Sequence, residues 1–186
     1  MAYTTLISAG QLASLNTHKN SQPLTIFDCS FDLTQPAAGY KHYLASHIPG
    51  ALYARLDAAM SSDSALAASG GRHPLPTRET FAAWLASAGV LQNAQIVVYD
   101  RNGANYCGRL WWMLKWLGHM DVAVLDGGLQ AWTAHGGAVA SGLPAPARRF
   151  GQRCVRSQAI ALPTGCGRPG GVTHRTKQPD PDRRTG

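Results

Sequence analysis

Thiols are the most chemically capable side chains in this 186-residue sequence, and there are four: Cys29, Cys107, Cys154 and Cys166. None stands in a CxxC pair and none is grouped with histidine at metal-ligand spacing, so neither a metal site nor a bound cofactor is expected. What remains is single-thiol chemistry. A nucleophilic cysteine works as the thiolate, which requires its ordinary pKa of about 8.5 to be lowered. Cys107 lies near the start of an apolar stretch with helical character, where a thiol can be acidified, although a small buried residue fits the position too. Cys29 follows Asp28 at the end of a short apolar run and reads as core. Cys166 heads a glycine-rich run, but Pro163-Thr164-Gly165 interrupts the approach from any strand.

The elements that position these residues alternate between strand and helix. Thr25–Cys29 and Ile96–Asp100 are short apolar runs suited to strands buried on both faces, Ala51–Ala54 is a weaker strand, and Val122–Leu125 is another. Ser8 caps a short helix through Gln11, Leu12 and Leu15. Arg78–Ala88 places Phe81, Trp84 and Leu85 on one face and stops at Gly89. Gly108–Leu117 is apolar almost all round, which predicts deep burial. Gly127–His135, closed by Gly136, is a last helix. This order predicts an α/β fold, a central parallel sheet with helices on both faces.

Charge divides the chain in two. Residues 1–142 hold eight basic and eight acidic side chains, whereas 143–186 hold nine basic and two acidic, so the net +7 resides in the second segment. That segment is rich in Arg, Pro and Gly with a single aromatic, Phe150, and reads as a disordered tail following one domain at 1–142. Its irregular arginine spacing and scarcity of aromatics argue against specific nucleic-acid binding. No run approaches the ~20 apolar residues of a membrane span, and Met1–Gly10 lacks a signal-peptide pattern, so no membrane partner and a cytoplasmic location are expected.

Four motifs occur in a fixed order. Tyr43 is followed by His47-Ile48-Pro49-Gly50-Ala51, in which Pro-Gly makes a turn and His47 is expected to be satisfied inside the fold. Gly71-Arg72-His73-Pro74-Leu75-Pro76 comes next. Then Tyr99-Asp100 leads through a loop to Arg109-Leu110-Trp111-Trp112-Met113 and Gly118-His119. The last is Val122-Ala-Val-Leu-Asp126-Gly127-Gly128 running into a helix with Trp132. Together they resemble the rhodanese-type sulfurtransferases over residues 28–136, and specifically the N-terminal domains of two-domain thiosulfate or 3-mercaptopyruvate sulfurtransferases.

The resemblance implies a rhodanese-like fold and a catalytic loop after the central strand. In active members of the family a cysteine there carries sulfane sulfur as a persulfide, its thiolate stabilised by inward-pointing loop amides at a helix N-terminus. Here the loop reads Asp100-Arg101-Asn102-Gly103-Ala104-Asn105: the glycine matches, but the nucleophile position is Asp100. A carboxylate fills such a nest with its own charge and forms no persulfide. The loop is expected to rejoin the helix at Arg109, with amides that converge less well than in an active loop. His73 and Asp57 match a His–acid pair that in mercaptopyruvate-type enzymes leans toward a serine of the second domain. The expectation is therefore a sulfurtransferase-family chain using thiosulfate or 3-mercaptopyruvate as donor and a thiol or cyanide as acceptor. It is expected to be a truncated, weakly active or inactive N-terminal half whose second rhodanese domain is missing. The alternative is a non-catalytic rhodanese-like module that binds a protein partner.

Overall fold

The computed structural model describes residues 2–17, 22–62 and 67–143. Along the chain run β1 (Leu6–Ile7), α1 (Ala9–Thr17), β2 (Leu24–Asp28), α2 (Pro36–Ala45), β3 (Leu52–Tyr53), α3 (Arg78–Ser87), β4 (Gln95–Tyr99), α4 (Cys107–Leu117), β5 (Val122–Leu125) and α5 (Gly128–Ala134). The strands form one five-stranded sheet in the order β1-β5-β4-β2-β3, parallel throughout. All of β4 and Thr25–Asp28 of β2 are buried, as strands covered on both faces must be. Alternation along β4 sends Ile96 and Val98 into one apolar cluster, with Phe81 and Leu85 of α3 and Leu110, Met113 and Leu114 of α4. Val97 and Tyr99 go to the other, with Leu12 of α1 and Leu129 and Trp132 of α5.

The register decides where the chemistry falls. Leu24 pairs with Gln95 and so on to Asp28 with Tyr99, so β2 and β4 end level. Asp28 and Asp100 therefore emerge at the same carboxyl edge of the sheet, where α/β folds place their sites.

Helix starts follow local chemistry. At α1 the Ser8 Oγ accepts from the Gln11 amide at 3.3 Å while Gln11 Oε1 accepts from the Ser8 amide at 2.9 Å, a reciprocal capping box. At α3 Thr77 Oγ1 accepts from the Thr80 amide at 3.2 Å. The sequence gives no expectation of β1 or α2. Two residues are too few for a period, and α2 buries only Gly39 and Tyr43, so it has no apolar stripe to read.

One expectation is corrected. Helix α4 is not buried all round: Cys107, Leu110, Met113 and Leu114 are inside, but Trp112 is 45% exposed. Trp112 and Trp116, four residues apart, stack outside at 5.8 Å between centroids, and the Arg78 guanidinium lies 4.9 Å from the Trp116 ring. Ring stacking and the cation–π contact stabilise the outer tryptophans without burying them. Among the described residues no helix is long and apolar enough to cross a membrane. Residues 144–186, read above as a basic tail and carrying Cys154 and Cys166, lie outside the described residues.

Candidate functional site

The loop from β4 to α4 wraps around one carboxylate. Asp100 is 1% exposed. Its Oδ1 accepts from the amides of Asn102 at 2.8 Å and Ala104 at 2.9 Å, and its Oδ2 from those of Tyr106 at 2.8 Å and Cys107 at 3.0 Å. Gly103 and Ala104, with φ of +70° and +68°, form the left-handed turn that carries these amides round the carboxylate. A left-handed alanine costs about 1 kcal/mol, which the bonds to a buried charge offset at about 1.5–3 kcal/mol each. The expected start of the helix is corrected. Helix α4 begins at Cys107 rather than Arg109, so the loop is short enough to close on the anion.

The backbone of Asp100 is gripped from the far side by α5. Its carbonyl accepts from the Leu129 amide at 3.3 Å. A Cβ on Gly128 would lie 2.2 Å from that carbonyl oxygen, and Gly128 has φ +58°, so the second glycine of the Asp-Gly-Gly motif is required for the approach. The Gln130 side chain donates from Nε2 to the Arg101 carbonyl at 2.9 Å.

The remaining loop side chains point elsewhere. The Arg101 Nη2 donates to the carbonyls of His42, at 3.2 Å, and Ser46, and stands 3.7 Å from Asp28 Oδ2. Asn102 and Asn105 are exposed. Cys29 and Cys107 are both buried in the cluster beneath the loop. Burial pushes both thiols well up. The Asp100 charge pushes Cys107 further the same way, so the site favours its neutral thiol.

The residues matched to the His–acid pair take different partners. Asp57 pairs with Arg55, Nη2 to Oδ2 at 2.8 Å. The His73 ring packs edge-on to Phe31 at 6.4 Å, with its Nε2 buried and without a hydrogen-bond partner. Phe31 in turn meets Tyr106 of the Asp100 loop at 5.7 Å. Arg109 ties the His73 segment to α4, donating to the carbonyls of His73 at 2.7 Å and Met60 at 2.9 Å. His47 sits inside the fold, Nδ1 2.8 Å from the Tyr43 carbonyl. Among the described residues no group of His, Cys, Asp and Glu could hold a metal ion. Asp28, not singled out as a site residue above, is fully buried, with Oδ1 accepting from the Ser30 amide at 2.8 Å. An acid closing an apolar strand, as Asp100 closes another, was the available signal.

Fold and loop define a rhodanese-like domain. The rhodanese-like domain family model matches residues 8–135, and the chain belongs to that family. It is similar to the probable 3-mercaptopyruvate sulfurtransferase of Pseudomonas aeruginosa, 40% identical over 144 residues that cover 76% of this chain and 49% of that protein. The thiosulfate sulfurtransferase of Bos taurus is 32% identical over 142 residues, 75% of this chain and 46% of its own length. Among solved structures, the 3-mercaptopyruvate sulfurtransferase of Leishmania major superposes with a TM-score of 0.65 at 29% identity, over 83% of this chain and 42% of the other. The chain thus spans about half the length of the curated relatives it matches.

Proposed function

We propose that this domain carries no sulfur at its own loop and acts as the supporting half of a two-domain sulfurtransferase. A second rhodanese domain would supply the reactive cysteine, with thiosulfate or 3-mercaptopyruvate as donor and a thiol or cyanide as acceptor. The domain occupies residues 1–142. The observation that carries this reading is the Asp100 carboxylate, which accepts all four amides that would otherwise stabilise a thiolate. Sulfur uptake from thiosulfate needs a thiolate that attacks the sulfane sulfur while sulfite leaves with the bonding pair. A carboxylate oxygen forms no such persulfide, and the nearest thiol, Cys107, is held protonated.

The test is thiosulfate:cyanide turnover together with intact mass after thiosulfate. The unmodified chain should show negligible turnover and no added sulfur. Asp100→Cys should gain one sulfur, because the four amides remain to stabilise its thiolate. Sulfur on the unmodified chain that vanishes with Cys107→Ser would overturn the proposal and make Cys107 the nucleophile.

One observation favours the second reading, a non-catalytic module for a protein partner: the outward Trp112–Trp116 pair. Adding a catalytic rhodanese half separates the two. A gain in turnover supports the first reading, and binding of another protein without any gain supports the second.

A further inference from the structure

Beside the Asp100 loop lies a cavity of about 370 Å³ lined by Ser30, Phe31, Asp32, His42, Arg101 and Asn102. Ser30 and Phe31 are buried, at 2% and 3% exposure, as is Gly39, while His42 and Asn102 stand at the solvent side. Two of the lining residues hold buried polar atoms with no hydrogen-bond partner, the Ser30 hydroxyl and the Arg101 Nε. Both can donate, and unpartnered donors suit an oxyanion. Asp32 is the opposite charge. Its Oδ1 accepts from the amides of Thr34 and Gln35 at 2.7 and 3.0 Å and from the Thr34 hydroxyl at 2.7 Å. The bonds to Thr34 hold its carboxyl below its ordinary value, so it is ionised at neutral pH.

The surrounding charges select among ligands. Arg101 has Asp28 behind it at 3.7 Å, outside the lining, and the carboxylate that lines the cavity is that of Asp32. A bare anion would meet the Asp32 carboxylate, and a bare cation would meet the guanidinium. A dipolar ion answers both fields at no net charge cost. From these observations we infer that the cavity is a subsite for a small α-amino acid, its carboxylate toward Arg101 and Ser30 and its ammonium toward Asp32. The volume lies at the small end of ligand pockets, roughly 300–1,000 Å³. The inference does not depend on the loop's sulfur chemistry.

The experiment titrates the ¹⁵N-labelled chain with glycine or L-alanine and follows the Arg101 Nε–H and the Ser30 amide, with acetate and methylammonium as controls. Saturable shifts are expected for the amino acids and not for the controls. Asp32→Asn keeps the Oδ1 acceptor for Thr34 and Gln35 and removes only the charge. It should weaken glycine at least tenfold, and Ser30→Ala should weaken it several-fold. Should either variant fail to fold, the comparison of glycine with the controls on the unmodified chain still decides. Acetate or methylammonium saturating as tightly as glycine, unchanged binding in Asp32→Asn, or no saturable shift at all would each overturn the inference.

Discussion

Asp28 and Asp100 stand at the ends of adjacent parallel strands, are equally buried, and are satisfied in different ways. Asp100 takes four amides of its own loop and leaves neither oxygen idle. Asp28 takes one amide, from Ser30, and its second oxygen faces a guanidinium 3.7 Å away, outside hydrogen-bond distance. Backbone amides are fixed by the fold and cost little side-chain entropy to aim, so the Asp100 site is closed and self-sufficient. A guanidinium on a long side chain is adjustable, and Arg101 of this pair lines the cavity. Both strand ends hold a buried charge, and the cavity is lined from both, by Ser30 and Phe31 after Asp28 and by Arg101 and Asn102 after Asp100.

The largest effect is expected from Asp100→Ala, which strips the acceptor from four inward amides. Urea unfolding should register a loss of at least about 3 kcal/mol. A loss below about 1 kcal/mol would mean that the loop does not depend on its anion, and the contrast with Asp28 would collapse.

Gly128→Ala tests the grip on the same residue from α5. A methyl group 2.2 Å from the Asp100 carbonyl at a φ of +58° should cost about 2–3 kcal/mol, read from the urea midpoint.

On the Asp28 side, Arg101→Met should cost about 2 kcal/mol, because a buried carboxylate loses its facing cation. The sharper measurement is the cycle with Asp28→Asn. The double variant should recover part of that loss, and strict additivity would show that the two side chains are not coupled.

Thiol reactivity compares the regions without altering them. Native Cys29 and Cys107 should resist iodoacetamide even at a pH where free cysteine is ionised, and react on unfolding, since burial raises both. Rapid labelling of Cys107 in the native chain would count against a loop charge already filled by Asp100.

The smallest effect is Ala104→Gly. Relief of a φ of +68°, partly offset by the extra freedom of glycine when unfolded, should stabilise the chain by about 0.5 kcal/mol.

Much of this molecule is local, and local features are legible in a sequence. The buried strands declare themselves as apolar runs, the cap of α1 as Ser8, and the loop as a carboxylate where a reactive thiol is expected, followed by a glycine at the right spacing. The carboxylate's own amides come from the next seven residues, so its role follows from a single stretch of chain. Helix α4 could be placed but not oriented. Its composition does not say that Trp112 and Trp116 stack against each other and Arg78 on the outside, which depends on how α3 lies beside it.

The Asp28–Arg101 pair and the cavity beside it belong wholly to the tertiary structure. Arg101 reaches Asp28, His42 and Ser46 only because the β2–β4 register ends both strands level and α2 packs across their edge. The nature of each residue was written in the sequence. Which ones meet was decided by pairing over some seventy residues of chain, where closure of the sheet, and no local preference, sets the distance.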